Sequence, residues 1–528
     1  MIPGTMQHMP LNISGVLTYA ATAYGTREVV ARQIDAPIWR SDYAGTARRV
    51  AQASHMLAKL GVGDGAMVSS LAWNTHRHFE LFYAVPGVGA VLHTANPRLS
   101  PEQMAYTINH AGSTVLFYEP NMLALVERIR PLLHTVVHTI VLSAADYDAR
   151  IASEPESYDW PVLDEHGGAL LCYTSGTTGD PKGVLYSHRS IVLHAMAQSM
   201  EGAFGLSAFD AVMPCSSLYH AGAWGMPFSA AMNGCKFVLP ADKMDGASLS
   251  EMILNEGVTC SSGVPTIWTL YLAHLANTGQ GTGALNRLTI GGSAVPRAMF
   301  EEFRDKYGVA VRQLWGMTET SPIGVSAGPT PAIAALGEAA MNDIILTRQG
   351  HRVYGIEVKI VDEAGNTLPE DGEAAGTVMV RGPWVIERYF KAEASAVDAE
   401  GWLDTGDIGT ICPHGFMRLT DRSKDVIKSG GEWVSSIDIE NIAVACPGVK
   451  VAAVAGVFHP KWEERPIIVI EAHDGATLTE AEVRSFLSPR IIKWWMPDAF
   501  IFAPVPLTAT GKIDKKVIRE RYKDVLCG

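Results

Sequence analysis

An α/β fold, with a large layered N-terminal domain carrying a β-rich subdomain and a smaller mobile α+β C-terminal domain, is what the 528-residue sequence predicts. Three observations carry it. Short apolar runs alternate with helical periodicity through about the first four hundred residues, strand-like segments cluster after residue 353, and the pattern resets after Asp421. In order, ARRVAQASHMLAKL (47–60) has the spacing of a helix, MVSSLAW (67–73) of a strand, HFELFYAVPGVGA (78–90) of a helix that Pro86 would disturb, and STVLFY (113–118) of the next strand. The alternation returns through LTIGGSAVP (288–296) and VRQLWGMTET (311–320). VYGIEVKIVD (353–362), GTVMVRG (376–382) and FMRLTDR (416–422) then read as strands joined by turn residues such as DEAGN. Beyond them, DVIKSGGEWVSSIDIENIAVACPGV, VAAVAGV, IIVIEA and a helix around EAEVRSFL form about one hundred residues, enough for a separate domain, and KWWMP (493–497) reads as packing within it. The predicted domains are 1–421 and 422–528. No Gly/Ser linker separates them, so the junction reads as a hinge rather than a tether.

The net charge of −13, with no basic run, argues against a nucleic-acid partner. Seven scattered cysteines without a C-x-x-C pair indicate neither a disulfide framework nor a zinc site and fit a reducing cytoplasm. The N-terminal residues have no signal-peptide pattern, and no apolar run approaches membrane-spanning length, so no integral membrane segment is expected.

Residues 173–183, YTSGTTGDPKG, crowd hydroxyls and glycines around one lysine, between an apparent strand at 168–173 and an apparent helix at 187–200. Backbone N–H groups freed by such a turn can converge on one anion, Gly176 and Gly179 permit close approach, and Lys182 adds positive charge, so phosphate is the natural guest. The spacing is not the Walker pattern, because Lys182 lies between Pro181 and Gly183. A surface turn of small residues is the competing reading.

YTSGTTGDPKG resembles the phosphate loop of the adenylate-forming enzymes, the superfamily of acyl-CoA synthetases, peptide-synthetase adenylation domains and beetle luciferases. WGMTE (315–319), WLDTGD (402–407), DRSKDVIKSGGEWVS (421–435) and PLTATGK (506–512) follow in the family's order, so the resemblance spans nearly the whole chain. It implies ATP, Mg²⁺ and CoA as ligands, and Thr174, Ser175, Gly176, Thr177, Thr178, Gly179 and Lys182 around the phosphates. Ser293 and Ala294 match the segment bordering adenine, where the GGSAVP turn departs from the commoner Gly-Ala-Pro form. Gln313, Trp315, Gly316 and Thr318 fall in the nucleotide motif, and Glu319 with Thr177 at the metal. Helix capping by Glu319 is its alternative. Asp407 suits a ribose diol, since a carboxylate accepts from two hydroxyls, although Asp-Thr-Gly-Asp is equally good turn chemistry. Arg422 matches a residue reaching the same nucleotide, and a surface ion pair is its alternative.

By the same resemblance Lys512 is the catalytic lysine. It would bridge a carboxylate and the α-phosphate of ATP as two anions meet; plain solvation is the alternative. Lys424 matches the hinge of a C-terminal domain that rotates between half-reactions, and Lys428 a lysine acting in the second. Gly430 and Gly431 would let pantetheine pass and Trp433 would wall its tunnel, against the local reading of a β-hairpin with two turn glycines. His220 in LYHAGAWGMPFSAAM (218–232) matches the residue beside the reacting carboxylate, and Gly263, Val264, Pro265, Gly291 and Gly292 match pocket segments. Trp224 stands where a small residue would leave a long tunnel open, so a short pocket is expected, with core packing as the alternative.

Stretches 93–112, 428–441 and 493–497 look most like bacterial medium-chain acyl-CoA ligases and methylmercaptopropionate–CoA ligases. The implied reaction is AMP-forming acid–CoA ligation of a short- to medium-chain carboxylic acid, 3-methylmercaptopropionate among the candidates. The sequence leaves the oligomeric state open; the resemblance adds a homodimer as one option, since family members are often dimers. A carrier-protein-loading adenylation enzyme, an oxygenase of the luciferase type and an inactive nucleotide-binding protein remain the alternatives. No carrier segment follows residue 512, nothing marks an oxygen site, and an inactive protein would be expected to lack Lys512 or Glu319.

Overall fold

A computed structural model of the chain describes residues 1–174, 180–422, 425, 427–429, 432–473, 475–508 and 513–527, with backbone alone for 422, 428, 432 and 433. Its strands form three sheets. The six-stranded sheet runs His138–Val141, Val115–Tyr118, Met67–Leu71, Val91–Thr94, Gly168–Tyr173, Gly183–Ser187 in spatial order, parallel except at the last pair. Its strands read as near-continuous apolar runs because helices cover both faces. Helix Tyr43–Lys59, capped by the Asp42 carboxylate on the Gly45 N–H at 2.7 Å, packs with helix His76–Gly87. Pro86 falls in the last turn of that second helix, one residue before its end, so the expected disturbance coincides with a terminus.

The 13-stranded sheet is the longer one. Parallel strands Lys236–Leu239, Ala211–Pro214, Cys260–Gly263, Arg287–Gly291 and Ala310–Trp315 form its middle. The β-rich segments Glu357–Val361, Gly376–Arg381, Leu403–Ile411 and Phe416–Arg422 continue it as antiparallel strands, hydrogen-bonded onward through Gly350–Arg352 and Val325–Ser326. The β-rich subdomain is thus one end of the long sheet. The third sheet begins at Ile427–Ser429 and is built on the long pair Val449–His459 and Glu463–Ala472. Arg465 locks its corner: the guanidinium pairs with Asp498 at 2.9 Å, donates to the Ser429 hydroxyl and the Trp494 carbonyl, and stacks over the Trp494 ring at 4.5 Å. That accounts for KWWMP as packing, as the sequence indicates.

Under the first sheet, Glu119 is fully buried at the end of strand Val115–Tyr118, with the Thr75 hydroxyl donating to Oε1 at 2.7 Å. Burial pushes its pKa up to about 8, against the opposing pull of Thr75 and Arg77. The folded protein therefore holds a proton that the unfolded chain loses near 4.5. That contribution is complete below the unfolded value and disappears as pH rises through the folded one. Glu119→Gln, which has no proton to lose, is expected to gain on wild type in Tm from about pH 5 to about pH 9. Parallel Tm–pH curves would remove this account.

Candidate active site

Four neighbouring parallel strands, Ala211–Pro214, Cys260–Gly263, Arg287–Gly291 and Ala310–Trp315, release their loops at the same carboxyl edge. In an open α/β sheet that edge is where ligands settle. Those loops carry His220 and Trp224, then Val264 and Pro265, then Gly292, Ser293 and Ala294, then Gly316, Thr318 and Glu319. A cleft of about 140 Å³ opens there, lined by Gly292, Ser293, Ala294, Trp315, Gly316 and Asp407. Asp421 and, from the smaller domain, Ile437 complete its wall. Gly263, Gly291 and Gly292 lie together at the adjoining strand ends, with the Val264 side chain against Gly292.

Trp315 is buried, and its indole N–H donates to Asp407 Oδ2 at 2.8 Å. The carboxylate expected to take a ribose diol thus already spends one lone pair on a tryptophan. Gly316 is dictated by sterics, since a β-carbon there would stand 1.4 Å from the Pro322 carbonyl oxygen. Backbone pairing sets Arg422 opposite Asp407, which brings those two motif residues to one place. Gln313 goes elsewhere: its buried amide donates to the carbonyls of Ile345 and Leu346 at the end of helix Glu338–Thr347, away from the cleft lining. The last carbonyls of a helix lack partners within it, and the Gln313 amide satisfies two of them, while both Leu314 and Trp315 line the cleft.

Glu319 does not cap a helix. It lies within the short 3₁₀ turn Thr318–Thr320, is buried, and accepts from the Tyr389 hydroxyl at 2.7 Å. The ammonium of Lys182 sits 4.8 Å over the same Tyr389 ring. A single tyrosine therefore joins the phosphate-loop lysine to the carboxylate read as a metal ligand. Burial, with Glu319 beside it, raises the Tyr389 pKa and keeps it a donor. Tyr186 donates to the Thr318 carbonyl at 2.7 Å and fixes the same turn. Among the described residues no three His, Cys, Asp or Glu side chains cluster to hold a metal. An ion here would depend on Glu319 and ligand oxygens, and a hard carboxylate oxygen suits Mg²⁺.

The phosphate loop differs from the sequence reading in its setting. Strand Gly183–Ser187 intervenes before helix His188–Ser199 and pairs antiparallel with Gly168–Tyr173, so the loop caps a hairpin instead of joining strand to helix. The Thr174 N–H donates to the Lys182 carbonyl at 2.9 Å, closing its base. Ser175, Gly176, Thr177, Thr178 and Gly179 lie outside the described residues, as do Lys424, Gly430, Gly431 and Lys512. Strands Ile427–Ser429 and Glu432–Val434 pair antiparallel, which places the Lys428 and Trp433 backbones opposite each other.

On the acyl side His220, partly exposed, enters a turn in which Ala221, Gly222, Ala223, Trp224 and Gly225 all have positive φ. Each non-glycine residue there costs about 1–2 kcal/mol relative to the right-handed form. Trp224 is buried, and its carbonyl accepts from Gln198 Nε2 at 2.7 Å. Tyr389, Tyr186, Asp421, Ile437 and Gln198 are the residues that motif reasoning missed. ERYFK, which carries Tyr389, has no spacing that points to the site, and only the fold brings it there.

Residues 18–390 match the AMP-binding enzyme family and residues 438–512 the AMP-binding enzyme C-terminal domain. A 3-methylmercaptopropionyl-CoA ligase of Ruegeria pomeroyi is 44% identical over 538 residues, 99% of this chain and 100% of that protein. A medium-chain-fatty-acid–CoA ligase of Ectopseudomonas oleovorans is 41% identical, covering 99% and 98%. A long-chain-fatty-acid–CoA ligase of Thermus thermophilus is also 41% identical, covering 100% and 98%. Among solved structures, an anthranilate CoA ligase in complex with anthranoyl-AMP superposes with a TM-score of 0.89 at 24% identity over 99% of each chain.

Proposed function

We propose, since the chain belongs to the AMP-binding enzyme family and is an AMP-forming acid–CoA ligase, that its acid is short to medium in length, 3-methylmercaptopropionate among the candidates. The carboxylate attacks the α-phosphorus of ATP, pyrophosphate leaves, and the CoA thiol then displaces AMP from the acyl carbon. Thr174 to Gly179 with Lys182 would hold the triphosphate, Ser293 and Ala294 the adenine, and Asp407 with Arg422 the ribose. Lys512 would bridge the reacting anions, and His220 would border the carboxylate. Glu319, with Thr177, would hold Mg²⁺, which supplies charge neutralisation for the departing pyrophosphate. For the second step we place the hinge at Lys424, between a core ending at residue 421 and a lid beginning at 422. Lys428, Gly430, Gly431 and Trp433 would then face the adenylate and pantetheine.

The observation that carries the choice of acid is Trp224, buried in a strained turn that leaves the indole little freedom to move aside. Sequence identity alone does not decide length, because relatives named for medium and long chains are equally similar, at 41%. Among the described residues no helix is long and apolar enough to cross a membrane, and the cysteines are free, six of them buried. Those features support a cytoplasmic enzyme, and we propose a homodimer. The test is acid-dependent ATP–pyrophosphate exchange followed by CoA-dependent AMP release, across straight-chain acids from acetate to dodecanoate with methylmercaptopropionate and benzoate. A kcat/KM maximum at or below octanoate is expected. A maximum beyond decanoate removes the argument from Trp224, and exchange without CoA dependence points to carrier loading.

A further inference from the structure

The left-handed turn after His220 is gripped from both sides by groups that the reaction does not otherwise use. Its φ values are +42° at Ala221, +52° at Gly222, +50° at Ala223, +59° at Trp224 and +80° at Gly225. Alanine and tryptophan have no intrinsic preference for this region, so outside contacts must impose it. At the front, a β-carbon on Gly222 would stand 3.1 Å from the Leu170 side chain, on the strand that leads to Thr174 of the phosphate loop, and 3.3 Å from the Phe82 ring. At the back, helix His188–Ser199 presents His194 and Gln198, one turn apart on the same face. Gln198 is fully buried and donates to the Trp224 carbonyl at 2.7 Å. A β-carbon on Gly225 would stand 2.7 Å from the His194 ring and 3.1 Å from Gln198 Oε1, so this face of the helix fits a bare backbone. Burial holds the His194 pKa down to about 3, so the ring packs there uncharged.

Flipping the Trp224 peptide toward the ordinary right-handed region would redirect its carbonyl and swing the indole with it. The Gln198 amide, donating to that carbonyl, opposes this flip at Trp224 itself. We infer that Gln198 is a positioning residue that fixes the Trp224 indole and thereby sets the length of acid the enzyme accepts. The inference rests on the reading that Trp224 closes the acyl channel.

Gln198→Met keeps the length of the side chain and removes the donor. It is expected to lower kcat/KM for the preferred acid by about tenfold, chiefly through KM, and to spread activity toward acids longer by about two methylenes. KM for ATP in pyrophosphate exchange should stay within about twofold of wild type. Combined with Trp224→Ala, it should add nothing to the acid profile of Trp224→Ala alone. If Gln198→Met does not fold, Gln198→Asn, an amide too short to reach, serves the same comparison. A wild-type profile in the Gln198 variant beside a shifted one in Trp224→Ala overturns the inference and leaves the channel reading standing. An equal loss on every acid together with a lower Tm also overturns it, since that marks a purely structural bond. An unshifted profile in Trp224→Ala removes the channel reading, and the inference with it.

Discussion

Lys512→Ala is expected to slow acid-dependent ATP–pyrophosphate exchange by about 10²- to 10³-fold, the range found when one preorganised charge-stabilising donor is removed from a transition state. Binding of ATP should change little, because the role proposed for the lysine is to act as two anions approach and not to hold either one at rest. Tm should stay within about 1 °C. The reason lies in how the segment is fastened. A β-bridge between Leu507 and Ile513, and a bond from the Asp514 N–H to the Pro506 carbonyl at 2.8 Å, close the chain on both sides of the lysine. Lys515 then anchors it, pairing with Glu440 at 2.9 Å and donating to Ser436, whose N–H reaches Asp421 in the cleft wall at 3.0 Å. Burial alone would lower the Lys515 pKa, but Glu440, Asp421 and Asp425 outweigh it and keep the ammonium charged. None of these contacts involves Lys512. An undiminished exchange rate in a folded Lys512→Ala protein would remove the mechanism.

Asp407→Ala should raise KM for ATP by about 10- to 100-fold, as expected for losing hydrogen bonds to a charged acceptor. Unlike the lysine variant, it should also lower Tm. The same carboxylate satisfies the buried Trp315 indole N–H at 2.8 Å, and removing it strands that donor beside the cleft. Asp407→Asn separates the two effects, because its amide oxygen still accepts from the indole while the charge is gone. It should recover most of the Tm and less of the ATP affinity. Unchanged KM for ATP in both variants would move the ribose site away from Asp407.

Much of the fold could be read from the chain. FMRLTDR gives the strand Phe416–Arg422, and ARRVAQASHMLAKL covers most of helix Tyr43–Lys59 and its C-cap, Leu60. These segments follow one period and are bounded by turn residues. GVLYS escaped because five residues between a glycine-rich loop and a helix carry too little periodicity to stand out as a strand. Within the site, motif residues such as Trp315, Asp407 and Ser293 do converge on one cleft, and Glu319 meets Lys182 through Tyr389. Their supporting partners were illegible. Tyr389 lies 70 residues from Glu319, and Gln198 lies 26 from Trp224, so only tertiary packing relates them. Gln313 shows the reverse error: it belongs to a motif, yet its amide is taken up by the carbonyls of Ile345 and Leu346 at the end of a neighbouring helix.

The loops proposed to face the acid leave strands Ala211–Pro214 and Cys260–Gly263, whereas Asp407 and Arg422 ride on strands Leu403–Ile411 and Phe416–Arg422 further along the sheet. The Val264 side chain lies against Gly292, which lines the cleft holding Asp407, so the two sets of loops share a wall, and a change in bulk at that wall would be felt on both sides.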